Sequence, residues 1–205
     1  MNRDMPGRPM PLVLASSSPY RRALLERLGL PVSAASPEVD EASRAGESDR
    51  AYVARLALEK AHAVRGLYAS GEAAFIGSDQ CARLGGERLG KPGTVARNIE
   101  QLRASSSRTV TFFTSVAVIV GTRDEVRSAE VDVIPFRVRF RALGDEEIRR
   151  YVDRERPLDC AGGFKAEGLG ISLFESTQGD DDTALIGLPL IRLSAMLRSI
   201  GFAVP

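Results

Sequence analysis

Two residues set around one turn, Asp79 and Lys91, carry the first chemical signal in the chain. Asp79 follows the apolar run Ala74-Phe75-Ile76 and the pair Gly77-Ser78, so a short strand is expected to deliver an acid to a rim. Residues 81–84 and 87–89 flank Gly85-Gly86, a hairpin signal, and the returning arm ends in Gly90-Lys91-Pro92. A carboxylate and an ammonium on adjacent strand ends suit phosphate ester chemistry, where one orients water or a metal ion and the other neutralises phosphate charge. An ordinary turn with a surface ion pair would carry the same residues. Lysine usage adds to the first reading: of 28 basic residues only Lys60, Lys91 and Lys165 are lysine. A compact ammonium is not interchangeable with a planar guanidinium at a phosphate or metal-adjacent site, so these three positions stand out in an arginine-rich chain.

Three further stretches hold groups of the same kind. Ser16-Ser17-Ser18-Pro19 lies between an apolar run, LVLA, and a helical run over residues 20–28. Ser18 reads as the N-cap, Pro19 as the first helical residue and Gly29 as the stop. The free backbone N–H groups there, the hydroxyls, and Arg21 or Arg22 could face a phosphate chain, although serines before a helix also serve as plain caps. Pro37-Glu38-Val39-Asp40-Glu41 sets three carboxylates on a loop, which repel one another unless solvated or bound to a cation. Magnesium takes one or two acids of this kind. Lys165 and Glu167 lie in PLDCAGGFKAEGLG, residues 157–170, where glycines permit positive φ and close approach to a ligand, or form a plain irregular loop.

The elements that must position these residues follow from periodicity. Strands are expected over residues 12–15, 31–35, 74–76, 109–120 and up to 140, with a bend or bulge near Ile134-Pro135 because Val131 and Val133 fall on one face and Phe136, Val138 and Phe140 on the other. Ser48 caps a helix from Asp49 to about Tyr68, with Val53, Leu56, Ala57 and Ala61 at helical spacing and Lys60 within it, where it could be merely an exposed helix residue. Thr94 and Asp145 read as caps of two shorter helices, residues 171–174 as a strand, and Pro189 as the opening of a last helix. Early strand and helix alternation followed by a long hairpin means an α/β fold, a mixed sheet with long strands and flanking helices around a central cleft.

Composition narrows the function classes. With 205 residues, 43% hydrophobic, 27% charged and a net charge of +1, the chain reads as one domain over residues 12–205 behind a loose arm, residues 1–11, and gives no electrostatic case for a nucleic-acid partner. No apolar run reaches membrane-spanning length and the first residues lack a signal-peptide core, which points to the cytoplasm and away from a membrane. Cys81 and Cys160 make no disulfide scaffold, and the lone histidine, His62, argues against a zinc site or a Ser-His-Asp triad.

LVLASSSPYRRALLERLGL, PEVDE, ARLALEKA, IGSDQ with GKP after it, and PLDCAGGFKAEGLGI, taken together and in this order, resemble the Maf family of nucleoside triphosphate pyrophosphatases from about Leu12 to Gly201. The resemblance implies an inosine-triphosphatase-like fold, a divalent metal cofactor (magnesium or manganese), a cytoplasmic homodimer, and hydrolysis of a nucleoside triphosphate to monophosphate and pyrophosphate. It implies Asp79 as the catalytic proton acceptor. Ser16, Arg21, Lys60, Lys91 and Lys165 are then the phosphate-binding set, and Glu38, Glu41 and Asp79 the metal set. Within the family the chain is similar to the branch assigned to 7-methylguanosine triphosphate, and Tyr20, Gln80 and Glu167 match positions that set substrate choice. An acceptor-only carboxylate such as Glu167 can take the N–H donors of guanine and repels a pyrimidine O4, while a cationic methylated ring favours a carboxylate and an aromatic face such as Tyr20. The alternatives are a dTTP/UTP or other non-standard nucleotide substrate, or a nucleotide-binding regulator without turnover. Two departures stand out: Ser105-Ser106-Ser107 where the family tends to have Ser-Gly, and Asp180-Asp181-Asp182, an acidic triplet that could attract a second cation.

Overall fold

The structure is a computed structural model that describes residues 10–69 and 71–205, so nearly all of the expected N-terminal arm lies outside the described residues. Its strands are β1 (Leu12–Ala15), β2 (Val32–Ala35), β3 (Ala73–Leu84), β4 (Glu87–Leu89), β5 (Thr109–Gly121), β6 (Val126–Phe140) and β7 (Phe174–Gly179). Its helices are α1 (Pro19–Glu26), α2 (Asp49–Leu67), α3 (Val95–Ser105), α4 (Asp145–Glu155), α5 (Asp182–Ile186) and α6 (Leu190–Ser199). All seven strands join one sheet in the order β2-β1-β3-β5-β6-β7, with β4 folded onto β3. β1 runs parallel to β2 and β3, and the remaining pairs are antiparallel, so the fold is α/β with a mixed sheet.

The expected caps shape three helices. Ser18, Ser48 and Thr94 hydroxyls accept from Arg21, Ala51 and Arg97 N–H groups. Asp145 is not a cap: Gly144 holds that position, and Asp145 sits in the first turn with its carboxylate on Arg103, an acid placed favourably on the helix dipole. The strand expected over residues 171–174 is a 3-10 turn, Leu169–Leu173, and β7 begins at Phe174. β7 and α5 had no periodic signal, since β7 is an almost wholly exposed edge strand and α5 is only five residues long.

No bulge occurs at Ile134-Pro135: β5 pairs with β6 without a break through Thr114↔Ile134 and Phe113↔Pro135. The apolar phase changes because the sheet is covered on different faces at its two ends. Val133 packs with Val53 and Cys81 beneath α2, whereas Phe136, Val138 and Phe140 pack on the opposite face with Phe112, Ile148 and Phe164.

β3 is longer than the expected three residues and creates the cleft. One edge pairs with β5 from Ala73 to Leu84. On its other edge β1 covers Ala74 to Ile76 and β4 covers Ala82 to Leu84, so residues 77–81 face a gap between two strands. Gly77 is required there. A Cβ on it would lie 1.9 Å from the Ala57 carbonyl oxygen of α2, so only glycine lets the helix approach closely enough to reach the gap.

Candidate active site

Asp79 stands in the middle of β3 rather than on a rim, with its side chain on the face covered by α2. Lys60 meets it from that helix. Lys60 Nζ donates to Asp79 Oδ1 at 2.6 Å and lies 2.6 Å from Glu41 Oε1. Lys60 and Asp79 are each 7% exposed, whereas the Glu41 side chain is 56% exposed, so the cluster has a buried foot and a mouth open to solvent. Lys60 is therefore no surface helix residue. Burial alone would raise the Glu41 carboxyl, but the hydrogen bond and charge of Lys60, helped by Lys91 and Arg21, hold it below the ordinary carboxylate range. Asp79 Oδ2 takes no hydrogen bond from a described residue, which leaves one carboxylate oxygen tethered and the other free.

A cleft of about 480 Å³ opens over this cluster, within the size range of small-molecule sites. Its first wall is the turn between β1 and α1. Ser16 Oγ accepts from the Ser18 N–H at 3.1 Å, and Arg21 Nε is anchored on the Gly187 carbonyl at 2.8 Å, leaving its terminal nitrogens toward Ser16 and the cleft. The second wall is the β3–β4 hairpin, which brings Arg88 and Lys91. Arg88 is fixed by Asp49 Oδ1 at 2.9 Å and the Ser43 hydroxyl at 3.1 Å, and its guanidinium lies over the Tyr52 ring, 4.1 Å from the centroid. Tyr52 donates in turn to the Glu41 carbonyl at 3.0 Å, and Arg55 Nη2 to the Ala42 carbonyl at 3.1 Å, so α2 pins the loop that presents Glu41. Four cationic side chains, Arg21, Lys60, Arg88 and Lys91, thus line this end.

The other end has a different chemistry. Tyr20, Gln80, Phe112, Cys160, Phe164 and Glu167 line it. Gln80 follows Asp79 and so points to the opposite face, where its Nε2 is held by Thr114 Oγ1 at 2.9 Å and the Ala184 carbonyl at 2.8 Å. Acceptors around the nitrogen leave Oε1 as the free end, a hydrogen-bond acceptor at the cleft. Burial, with the nearby Cys160, Asp159 and Glu167, raises the Tyr20 hydroxyl above its ordinary value, and burial with Asp159 pushes the Cys160 thiol up to about 12.

The residues expected at the site fall into two groups. Ser16, Tyr20, Arg21, Glu41, Lys60, Asp79, Gln80, Lys91 and Glu167 all line the one cleft. Glu38 and Lys165 do not. Glu38 lies on the same loop as Glu41 outside the lining, and Lys165 Nζ donates to the Glu155 carbonyl at 2.8 Å, satisfying the open C-terminus of α4. The glycines near Lys165 serve packing: Gly162 and Gly163, at φ +78° and +74°, lie against Phe112 and Asn98. The acidic triplet has a structural use, as Asp181 is 4% exposed and accepts from the backbone N–H of Thr183 and of Ile191, starting α5 and α6. Among the described residues no group of three or more His, Cys, Asp or Glu is placed to hold a metal ion. Two carboxylates, Glu41 and Asp79, are what the cationic end of the cleft offers, and that suits magnesium or manganese only if phosphate oxygens and water complete the shell. Sequence reasoning missed Arg88, Tyr52 and Asp159. Arg88 sits on the same return arm as Lys91 and could have been found there; Tyr52 carried no signal, because the carbonyl it holds comes from a loop.

A family model described as Maf-like protein matches residues 11–200. The chain belongs to the Maf family. A 7-methyl-GTP pyrophosphatase of Pseudomonas aeruginosa is 55% identical over 95% of this chain and 98% of its own length. Proteins of the same name from Aromatoleum aromaticum and Nitrosococcus oceani are 54% identical over 95% of this chain and 97% of their own, and 48% identical over 100% of both. A crystal structure of a nucleoside-triphosphatase / dITP/XTP pyrophosphatase from Mycobacterium abscessus is similar with a TM-score of 0.43 at 18% identity, covering 96% of this chain and 98% of that one.

Proposed function

We propose that this protein is a nucleoside triphosphate pyrophosphatase that hydrolyses 7-methyl-GTP to 7-methyl-GMP and pyrophosphate. The observation that carries the proposal is the polarity of the cleft: a cationic end that holds Asp79 by one oxygen and leaves its Oδ2 untethered, and an aromatic, acceptor-rich and acidic end. Such a site matches a polyanionic chain attached to a base that is rich in N–H donors and positively charged. The names of its relatives support the same substrate.

In this reading Asp79 is the general base. Its Oδ1 is immobilised by Lys60 and its Oδ2 removes the proton from a water aimed at the α-phosphorus, with pyrophosphate leaving toward Lys91 and Arg88. Lys60, Arg21 and the N–H groups at the start of α1 neutralise the phosphate oxygens as charge shifts to the leaving group. A divalent ion held by Glu41, with Asp79 shared between the ion and the proton transfer, would polarise the phosphoryl oxygens. Glu167 and the Gln80 Oε1 accept from the guanine N–H groups. Residues 12–205 act as one domain, and a cytoplasmic homodimer is the assembly that the family resemblance implies. No described helix is long and apolar enough to cross a membrane.

Pyrophosphate release by purified protein with magnesium or manganese, compared across 7-methyl-GTP, GTP, dTTP, UTP and ITP, tests the proposal. Preference for the methylated nucleotide, lost in Asp79→Asn with folding retained, is the expected outcome. Dominant pyrimidine turnover would overturn the substrate, and full turnover by Asp79→Asn would overturn the base.

A further inference from the structure

Asp159 lines the base end of the cleft beside Tyr20, Cys160 and Glu167. It is exposed, and its one side-chain hydrogen bond among the described residues is from the Cys160 thiol, at 3.5 Å. Neither Asp159 nor Glu167 pairs with a basic side chain among the described residues. The contrast with the far end is sharp, where Glu41 and Asp79 share Lys60 and the cations Arg21, Arg88 and Lys91 stand close by. Both uncompensated acids act on the same neighbours: Tyr20 and Cys160 each feel the charge of Asp159 and of Glu167. Two like charges facing one pocket without a counter-ion raise its free energy, and a ligand that brings a positive charge relieves it.

We propose that Asp159 is a specificity-determining residue whose carboxylate, acting with Glu167, selects a purine ring that carries a fixed positive charge over the same ring without one. The proposal rests on the assignment of this cleft to 7-methyl-GTP and divides the discrimination in two. Glu167 and Gln80 accept N–H groups that guanine has whether methylated or not, so they choose purine against pyrimidine. Asp159 supplies charge and distinguishes the alkylated ring from its parent. A unit-charge attraction at roughly 6 Å and an effective dielectric of about 40 corresponds to about a tenfold effect, the scale expected for loss of this carboxylate.

The experiment is kcat/KM for 7-methyl-GTP and for GTP in the wild type, Asp159→Asn and Asp159→Glu. Asp159→Asn should lower kcat/KM for 7-methyl-GTP about tenfold, mainly through KM, and leave GTP within twofold. Asp159→Glu should keep most of the preference. Equal loss for both nucleotides would make Asp159 a structural residue and overturn the proposal, as would an unchanged ratio. A wild type that does not separate the two nucleotides would instead overturn the substrate assignment, an outcome recognisable before any variant is measured.

Discussion

Replacing Lys60 with methionine is the most informative single change to stability. The stem of methionine fills the space of the lysine stem, so packing under α2 is largely kept and the ammonium alone is lost. Asp79, with its side chain 10% exposed, is left charged and without its cation; Glu41, 56% exposed, can turn to water. Breaking a buried pair by removing one partner costs about 3–5 kcal/mol, whereas an exposed pair contributes about 0–1 kcal/mol. The Asp79 half dominates, and a loss of about 3 kcal/mol follows. For a chain of this size that is a fall in melting temperature of roughly 6–12 °C. The assay is a double-mutant cycle by urea and thermal unfolding with Lys60→Met, Asp79→Asn and the pair. Asp79→Asn in the Lys60→Met background should recover most of the loss, because it removes the orphaned charge. A single mutant that loses under about 1 kcal/mol, or a double mutant no more stable than Lys60→Met, would refute the argument that Lys60 compensates a buried carboxylate.

Other changes test the frame around the site. Gly77→Ala places a Cβ 1.9 Å from the Ala57 carbonyl oxygen, so α2 must move off the sheet; chemical denaturation should show a loss of about 3 kcal/mol or more, and pyrophosphate release should fall with it. Arg156 ends α4 in the left-handed region at φ +46°, and Arg156→Gly should raise stability by a few tenths to about 1 kcal/mol in urea melts. Cys81 is buried, and burial with the charge of Asp49 pushes its thiol up to about 12. Iodoacetamide at pH 8 should therefore leave Cys81 unmodified in the native protein and alkylate it after denaturation. A neutral thiol in the fold and an ionisable one in the unfolded chain also fix a sign: its contribution to stability is complete below about 9 and declines as pH rises toward 12, a slope that Cys81→Ala should lessen and that the Cys160 thiol, raised in the same way, should partly keep.

Much of this molecule was legible in order along the chain. The strand at LVLA, the Ser18 and Ser48 caps, the Gly85-Gly86 hairpin and the long antiparallel pair all follow from local chemistry, because caps, turns and period-2 runs depend on near neighbours. The scarcity of lysine marked Lys60 and Lys91, which line the cleft, but also Lys165, which closes the end of α4. Composition registers that a cation is unusual without saying where its nitrogen goes.

Where each segment meets another is set by packing in three dimensions. Alternation places Asp79 and Gln80 on opposite faces of β3, yet both reach one cleft because β1 ends before β4 begins and the strand edge between them is open. Lys60 became buried because Gly77 admits α2, and Glu41 is presented while Glu38 is not because Tyr52 and Arg55 hold their loop by main-chain carbonyls. The elements, the residue types and the family likeness are legible along the chain. The pairing of a helix lysine, a strand acid and a loop acid into one cluster is a contact between segments far apart in the chain, and such contacts are set by packing and charge in three dimensions rather than by any local pattern.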